Sequence, residues 1–266
     1  MVNNMKANVN KVVMELRNRG YVAEETTVVK NGVEKVGIAM GEGKCKPVIY
    51  PTKDTVKECV DEVIRIYKDC AIQQNYDNTI SSWEYAQDHL QLCLQRKTTE
   101  NILKRDFLDM ELYVRVRVSE NASYKVKPGM FDVDKDDIFA LAFIGVHGDV
   151  VVEDMQKLLA EMMGCEVSEM PLTDTPLIVL SNKAKYHGAV AMVDKLTLAE
   201  IARDYNSNLV ILPSSIHECI VYPNNEPDME IYNEMVRDVN EKEVTPEEVL
   251  SNHAYFYNRE TGEIEW

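Results

Sequence analysis

The chain has 266 residues, 45% of them hydrophobic, which is enough to bury a sizeable core in one large domain or two small ones. Asp and Glu total 45 against 29 for Lys and Arg, so the formal net charge of −16 repels phosphate backbones and argues against direct nucleic-acid binding. The opening MVNNMKANVNKVV lacks the apolar core of a signal peptide, and no later apolar run is long enough to span a membrane, so we expect a cytoplasmic protein without membrane contact.

The cysteines and histidines show no spacing typical of a metal site. Six cysteines are scattered along the chain without a C-x-x-C pair, which favours buried, reduced thiols over a disulfide framework or structural zinc. The sequence contains no His-Glu-x-x-His helix, no phosphate loop and no dinucleotide fingerprint. We therefore expect neither a bound metal nor a cofactor.

The N-terminal part predicts a helix, a hairpin, a short strand and a second helix. Valines and a leucine recur at helical spacing over Val9–Leu16. Asn31-Gly32 favours a type I′ turn between β-rich segments, and Thr55 with Glu58 forms a capping box.

A polar stretch over residues 74–82 is typical of a linker. It favours a division of the chain into two parts. We predict an N-terminal α+β subdomain over residues 1–76 and a C-terminal α+β domain over residues 83–266, as an alternative to one continuous core.

The remaining elements complete an α+β fold with antiparallel or mixed sheets and helices packed on them. Alternation and apolar runs predict strands at His89–Gln95, Met110–Val118, Ser123–Lys127, Ile138–Val146, Leu177–Leu180, Ala189–Val193, Leu209–Leu212 and Glu218–Tyr222. Helices are predicted at Thr99–Arg105, after Glu153-Asp154, after the capping box of Thr197 and Glu200, along Tyr232–Val239, and from Thr245-Pro246-Glu247-Glu248. The methionine-rich stripe Met155–Met163 is expected to be core, and residues 254–266 predict a closing hairpin.

The stretch LPSSIHECIVYP contains the ingredients of nucleophilic catalysis. Ser214 or Ser215 supplies a hydroxyl, His217 a base, and a distant acid such as Glu248 an orienting carboxylate. In a strand, however, neighbouring side chains point to opposite faces, so Glu218 is not placed to orient His217. A Ser-Ser turn whose hydroxyls bond the local backbone is the simpler interpretation.

Two polar turns are candidates for ligand or partner binding, because rigid scaffolds present contacts on such loops. One turn is the basic segment Ser181–Gly188 and the other is Pro213–Glu218. The candidate contact residues are Asn182, Lys183, His187, Ser214, Ser215, His217 and Glu218. His217 and Cys219 lie two residues apart on one strand face, but two ligands do not make a metal site.

The segments PLIVLSNKAKYHGAVAM, NLVILPSSIHECIVYP and NRETGEI resemble an uncharacterised bacterial family, domain of unknown function 5688, found mostly in Firmicutes. The resemblance implies a bacterial cytosolic protein and supplies no catalytic residues. Cys219 departs from the aliphatic residue that the family pattern has there, which weakens a metal site built on its thiolate.

Three hypotheses follow for the function. The first is a non-enzymatic binding or regulatory protein that recognises a protein or a small-molecule ligand through the two turns. The second is a hydrolase with Ser214 or Ser215 as nucleophile and His217 as base. The third is a metal-dependent enzyme.

Overall fold

The structure is a computed structural model that describes residues 2–42, 46–74, 80–119, 122–170 and 176–266. Its helices and three antiparallel sheets confirm the α+β fold predicted from the sequence. Two compact units form, one from residues 1–89 with 117–124 and the other from residues 90–116 with 125–266. The division into domains at residues 76 and 83 stays a prediction.

As far as the second helix, the first unit has the order of elements that the sequence predicts, and a short third helix follows. Its elements are α1 (Val2–Asn18), β1 (Ala23–Lys30), β2 (Val33–Met40), β3 (Val48–Ile49), α2 (Val56–Gln74) and α3 (Trp83–Ala86). Asn31 and Gly32 have φ of 48° and 78°, the left-handed values that a type I′ hairpin turn requires. The Thr55 hydroxyl accepts from the Glu58 amide at 3.2 Å and begins α2. A core of Val12, Leu16, Ile38, Val60 and Val63 joins the helices to the sheet.

The smaller sheet of the second unit places β6 at its centre. Its strands are β4 (Leu90–Arg96), β5 (Lys104–Phe107), β6 (Met110–Arg117) and the short β7 (Ser123–Lys125), which pairs with β6. The helix predicted over Thr99–Arg105 is wrong, because Lys104–Phe107 pairs with β6 as an antiparallel strand. Edge pairing on an existing sheet outweighs the weak local helix preference of this segment.

A helix, α4 (Lys135–Asp149), replaces the strand predicted over Ile138–Val146. The Asp134 side chain caps it by accepting from the Asp136 amide at 2.7 Å, which satisfies one of the free N–H groups of the first turn. Its buried side chains follow helical spacing, and the helix packs on β4. Those buried residues are Ile138, Phe139, Ala142 and Val146.

The next elements are β8 (Val150–Asp154) and α5 (Met155–Met163), which ends at Gly164. The helix is confirmed, but the expectation that its methionines are core is wrong. Met162 and Met163 are 84% and 70% exposed, and Ala160 is the buried residue of the helix. A helix of nine residues with one small buried side chain contacts the core along a narrow line, so most of its apolar stripe remains outside.

The larger sheet of the second unit carries the two polar turns. Its strand order is β13-β12-β10-β11-β9-β8, with β9 at Ile178–Asn182, β10 at Leu209–Pro213, β11 at Cys219–Pro223, β12 at Tyr255–Asn258 and β13 at Glu263–Glu265. The strands on either side of the Pro213–Glu218 turn and the closing hairpin are therefore confirmed. Two helices accompany this sheet, α6 (Lys195–Asp204) and α7 (Met229–Lys242).

Three local predictions around this sheet are wrong. Ala189–Val193 lies in a 3-10 helix, Gly188–Val193, and its apolar sequence reflects the burial of every residue rather than a strand. Helix α6 begins with Asp194 as N-cap instead of a capping box of Thr197 and Glu200. Thr245–Glu248 makes one turn and no helix, because the Glu248 carbonyl accepts from the Ile216 amide at 2.9 Å and draws the chain onto the Pro213–Glu218 turn.

Among the described helices, none combines the length and the apolar character that a membrane crossing requires.

Candidate functional site

The two polar turns, Ser181–Gly188 and Pro213–Glu218, lie against each other and form what we name the double turn. The Ser181 hydroxyl donates to the His217 carbonyl at 2.9 Å. The His187 amide donates to His217 Nδ1 at 3.1 Å, and the Ala189 amide donates to the Ile216 carbonyl at 3.3 Å. These bonds connect segments about thirty residues apart in sequence into one rigid surface feature.

Gly188 allows this close approach. A Cβ atom at this position would lie 2.3 Å from Ser181 Oγ, 2.6 Å from the Asn182 backbone nitrogen and 2.6 Å from the His217 carbonyl oxygen. Two of these three atoms belong to the backbone and cannot turn away. The two turns therefore meet at a position that has room only for glycine.

Three aromatic rings gather on the double turn, and we name them the ring cluster: Tyr186, His187 and His217. The ring centroids of Tyr186 and His187 are 4.5 Å apart, those of Tyr186 and His217 are 5.0 Å apart, and those of the two imidazoles are 5.7 Å apart. Tyr186 is 45% exposed, so the cluster reaches the protein surface.

The hydrogen bonds of His217 define its tautomer. Because Nδ1 accepts the His187 amide proton, the neutral imidazole carries its own proton on Nε2. Nε2 lies 3.5 Å from Glu248 Oε1, so an imidazole–carboxylate contact forms between residues that the sequence suggested as base and orienter. Both ring nitrogens of His217 therefore face partners other than a serine.

The serines bond the backbone of their own turn. Ser215 Oγ accepts from the His217 amide at 3.0 Å, and the Ser215 amide donates to the Glu218 carbonyl at 3.2 Å. In the described part of the chain, neither the Ser214 nor the Ser215 hydroxyl bonds an imidazole nitrogen. The nucleophile–base contact of a hydrolase is absent from this arrangement, which leaves the hydrolase hypothesis without geometric support.

The polar residues of the Ser181–Gly188 turn hold its backbone in place. The Asn182 side chain accepts from the Tyr186 amide at 3.1 Å and donates to the Tyr186 carbonyl at 3.0 Å. Lys183 Nζ donates to the Gly148 carbonyl at 2.7 Å, where a cation is favoured at the C-terminus of α4. Lys185 Nζ lies 3.1 Å from Glu153 Oε2. The two lysines are thus engaged within the fold.

Strand β6 supplies neighbours of the ring cluster that sequence reasoning missed. The Arg115 guanidinium carbon lies 5.0 Å from the centre of the Tyr186 ring, and the Tyr113 hydroxyl lies 3.5 Å from His187 Nδ1. Both residues are buried. The alternation along Met110–Val118 correctly predicts a strand, but it assigns their face to solvent, and no local signal connects them with a turn some seventy residues later.

The thiols near the site are neutral. Burial raises the pKa of Cys219, whose Sγ lies 3.7 Å from the Ala189 carbonyl, and burial likewise raises the pKa of Cys93. His217 precedes β11 instead of sharing a strand face with Cys219. Within the residues that the structure describes, no three His, Cys, Asp or Glu side chains lie close enough together to hold a metal ion.

Another imidazole–carboxylate contact joins the β5–β6 turn to the C-terminal hairpin. His253 Nε2 lies 2.9 Å from Asp109 Oδ2, and the Tyr255 hydroxyl donates to Asp109 Oδ1 at 2.6 Å. Burial, followed by the bond to Asp109, raises the pKa of Tyr255. The Trp266 ring stacks on His253 with centroids 5.0 Å apart. We interpret this group as a structural anchor, since Asp109 satisfies the buried hydroxyl.

A third pair connects the C-terminus of α4 to the N-terminus of α6. His147 Nδ1 lies 2.7 Å from Asp194 Oδ2, which also accepts from the Thr197 hydroxyl at 2.6 Å. The bond to Asp194 raises the pKa of His147 above 6.5. Asp194 is buried, which by itself favours the neutral acid, but the bonds from Thr197 and His147 outweigh burial and lower its pKa below 3.8.

We expect a pH-dependent contribution of His147 to stability. A raised histidine pKa stabilises the folded state below about pH 6.5 and loses this effect as the pH rises through the folded-state pKa, while the lowered pKa of Asp194 stabilises above about pH 3.8. Between these limits wild type should exceed His147→Gln in free energy of unfolding, and this difference should narrow as the pH rises through the raised pKa of His147. Urea titrations across this range measure it, and a gap that stays constant with pH would contradict the assignment.

Searches of curated proteins and of solved structures return no match to this chain. A family profile described as Family of unknown function (DUF5688) matches residues 2–259. The matched range spans parts of both compact units and includes every residue of the double turn and the ring cluster. It confirms the resemblance that the sequence segments indicate. The chain therefore belongs to the Family of unknown function DUF5688.

Proposed function

We propose that this protein is a ligand-binding protein and that the ligand contacts the ring cluster. One observation carries the proposal. Tyr186 stands between Lys185 and His187, whose φ of 48° and 57° are left-handed values that cost non-glycine residues about 1 kcal/mol or more each. The Asn182 side chain bonds both the amide and the carbonyl of Tyr186, yet Tyr186 is 45% exposed.

A purely structural role does not account for this arrangement. A fully buried tyrosine would repay the backbone strain through packing, whereas the exposed part of Tyr186, nearly half of its surface, adds no packing. Strain that fixes an exposed aromatic ring in one position is typical of pre-organised binding sites. Two imidazoles beside the ring add flat surfaces and hydrogen-bonding groups, which suit a small molecule with a planar part.

Binding is favoured over catalysis by the hydrogen bonds of the site. His217 uses both ring nitrogens in contacts with His187 and Glu248, and Ser215 bonds its own turn. We infer a bacterial cytoplasmic protein that contacts neither nucleic acid nor membranes. Free thiols at Cys59, Cys93, Cys165 and Cys219 support a reducing compartment, and the net charge of −16 supports the exclusion of nucleic acid.

The test uses wild type, Tyr186→Ala and the matched control Tyr205→Ala. Tyr205 is 44% exposed at the end of α6, so Tyr205→Ala removes a tyrosine of similar exposure outside the ring cluster. Protein labelled at tyrosine and histidine is titrated by NMR with a panel of flat compounds that includes indole, nicotinamide, benzamide and benzoate. We expect saturable shifts at His187 and His217, roughly tenfold weaker binding in Tyr186→Ala from the loss of about 1 to 1.5 kcal/mol of stacking, and unchanged binding in Tyr205→Ala.

The proposal is wrong if no compound shifts these histidine signals in a saturable way. Equal affinities of wild type and a folded Tyr186→Ala would overturn it as well, because binding would then take place elsewhere.

A further inference from the structure

Arg115 is a buried cation without a carboxylate partner among the described residues. The residue is 6% exposed, in the middle of the second unit's smaller sheet. Its Nε donates to Gln91 Oε1 at 3.0 Å, across the strand pair that places Arg115 opposite Gln91. A guanidinium has five N–H groups, and this is its one hydrogen bond to a described residue.

Two lysines on the same sheet are paired, which makes the arginine stand out. Lys104 Nζ lies 3.0 Å from Glu111 Oε2, and Lys125 Nζ lies 2.7 Å from Glu100 Oε2. Glu111 is buried and Glu100 is half-buried, so the fold supplies carboxylates that neutralise other cations of this sheet. Among the described residues, Glu100 Oε1 is the one enclosed side-chain nitrogen or oxygen without a hydrogen-bond partner. The N–H groups of Arg115 that make no bond to the protein therefore keep contact with solvent, where an anion can reach them.

The immediate neighbours of Arg115 do not supply the missing negative charge. Burial raises the pKa of Tyr113 and of Cys93, so both stay neutral at physiological pH. The face of Tyr186 lies 5.0 Å from the guanidinium and gives a cation–π contact of about 0.5 to 2 kcal/mol. That contact ties the arginine to the ring cluster itself.

We propose that Arg115 is the counter-ion for an oxyanion, a carboxylate or a phosphate, carried by the ligand of the ring cluster. The inference rests on the proposed function and names the chemical class of its ligand. The planar guanidinium matches two oxygens of such a group in a bidentate pair. The ring of Tyr186 contacts the guanidinium that pairs with the anion. Because Tyr186 is also exposed, the planar part of the ligand contacts the same ring.

The competing explanation is that Arg115 only supports the Tyr186 ring by packing against its face. Support of the Tyr186 ring needs only packing and a cation–π contact, and lysine partly retains both. With this explanation alone, added anions would cause no response at the site. An anion site predicts that affinity depends on the charge of the ligand and on the fork of the guanidinium.

The experiment compares charged and uncharged probes at constant ionic strength. Wild type labelled at histidine is titrated by NMR with sodium benzoate, benzamide, sodium acetate and sodium phosphate. Benzamide has the shape of benzoate without its charge. We expect saturable shifts of the His187 and His217 signals with benzoate or with phosphate. If the ligand anion is a carboxylate, benzamide should bind at least tenfold more weakly than benzoate. Saturation by phosphate with no response to benzoate assigns the anion to the phosphate class.

Variants at Arg115 complete the test. Arg115→Gln should weaken the binding of the responding anion at least tenfold, and Arg115→Lys should be intermediate. The control Arg203→Gln, which changes an exposed arginine paired with its neighbour Asp204, should bind like wild type. The absence of saturable binding of every anion to wild type overturns the inference without any variant. Saturable and equal binding of benzamide and benzoate, with no saturation by phosphate, would overturn the anion class and leave the proposed binding function standing.

Discussion

Replacing Gly188 with alanine is expected to destabilise the second unit by about 1 to 3 kcal/mol, the usual cost of forcing extra atoms into a packed site. The added Cβ would lie within 2.6 Å of Ser181 Oγ, the Asn182 backbone nitrogen and the His217 carbonyl oxygen. The hydroxyl could rotate away, but the two backbone atoms could not. The double turn must therefore open, and the bond from the Ser181 hydroxyl to the His217 carbonyl is lost with it.

Urea denaturation of wild type and Gly188→Ala measures the difference, and Gly145→Ala is the matched control. Gly145 lies in α4 with no atom within 4 Å of an added Cβ, so alanine there should stabilise the helix by roughly 0.5 to 1 kcal/mol. The double variant Ser181→Ala/Gly188→Ala should recover little, since the backbone contacts remain. Full recovery in the double variant, or no loss in Gly188→Ala, would show that the turns do not meet as described.

Features with local causes are predictable from this sequence. Asn31-Gly32 specifies its own turn because few residues adopt two successive left-handed conformations, and Thr55 with Glu58 begins α2 through a bond across three residues. Helix α1 is predictable in the same way, because its buried valines recur with the 3.6-residue spacing of a helix. In each case the sequence contains both partners of the deciding interaction.

Apolar runs without a clear period were assigned wrongly for one physical reason. A strand buried on both faces and a helix buried around most of its surface give the same uninterrupted hydrophobic sequence. Ile138–Val146 is part of helix α4, and Ala189–Val193 is a wholly buried 3-10 helix. The acids at Asp134, Asp136 and Asp137, which favour a helix N-terminus, were the available signal for α4.

For the candidate site, the sequence identifies both turns but not what surrounds them. Polar residues between apolar strands identify His187 and His217 as candidates, whereas Tyr186 has no distinguishing pattern in a basic loop. Arg115 is on a strand whose alternation suggests an exposed face. Its contact with Tyr186 depends on how the two sheets of the second unit pack, and packing between distant segments has no signature in a single sequence.

Replacing Asp194 with alanine is expected to cost about 2 to 4 kcal/mol, because one buried carboxylate serves three partners. It caps α6 by accepting from the Leu196 amide at 3.3 Å, and it also accepts from the Thr197 hydroxyl and from His147. Asp194 and Thr197 are 4% and 6% exposed, so alanine leaves the Thr197 hydroxyl buried without its acceptor.

Equilibrium unfolding of Asp194→Ala, His147→Gln and the double variant separates these contributions. Since His147 is exposed, its single variant should cost much less than Asp194→Ala, and the coupling between the two should fade as the pH rises through the raised pKa of His147. Asp204→Ala, which removes an exposed acid near the other end of α6, should stay within about 0.5 kcal/mol of wild type. If Asp194→Ala were as mild as Asp204→Ala, water would have to replace all three hydrogen bonds, and the buried environment described for Asp194 would be wrong.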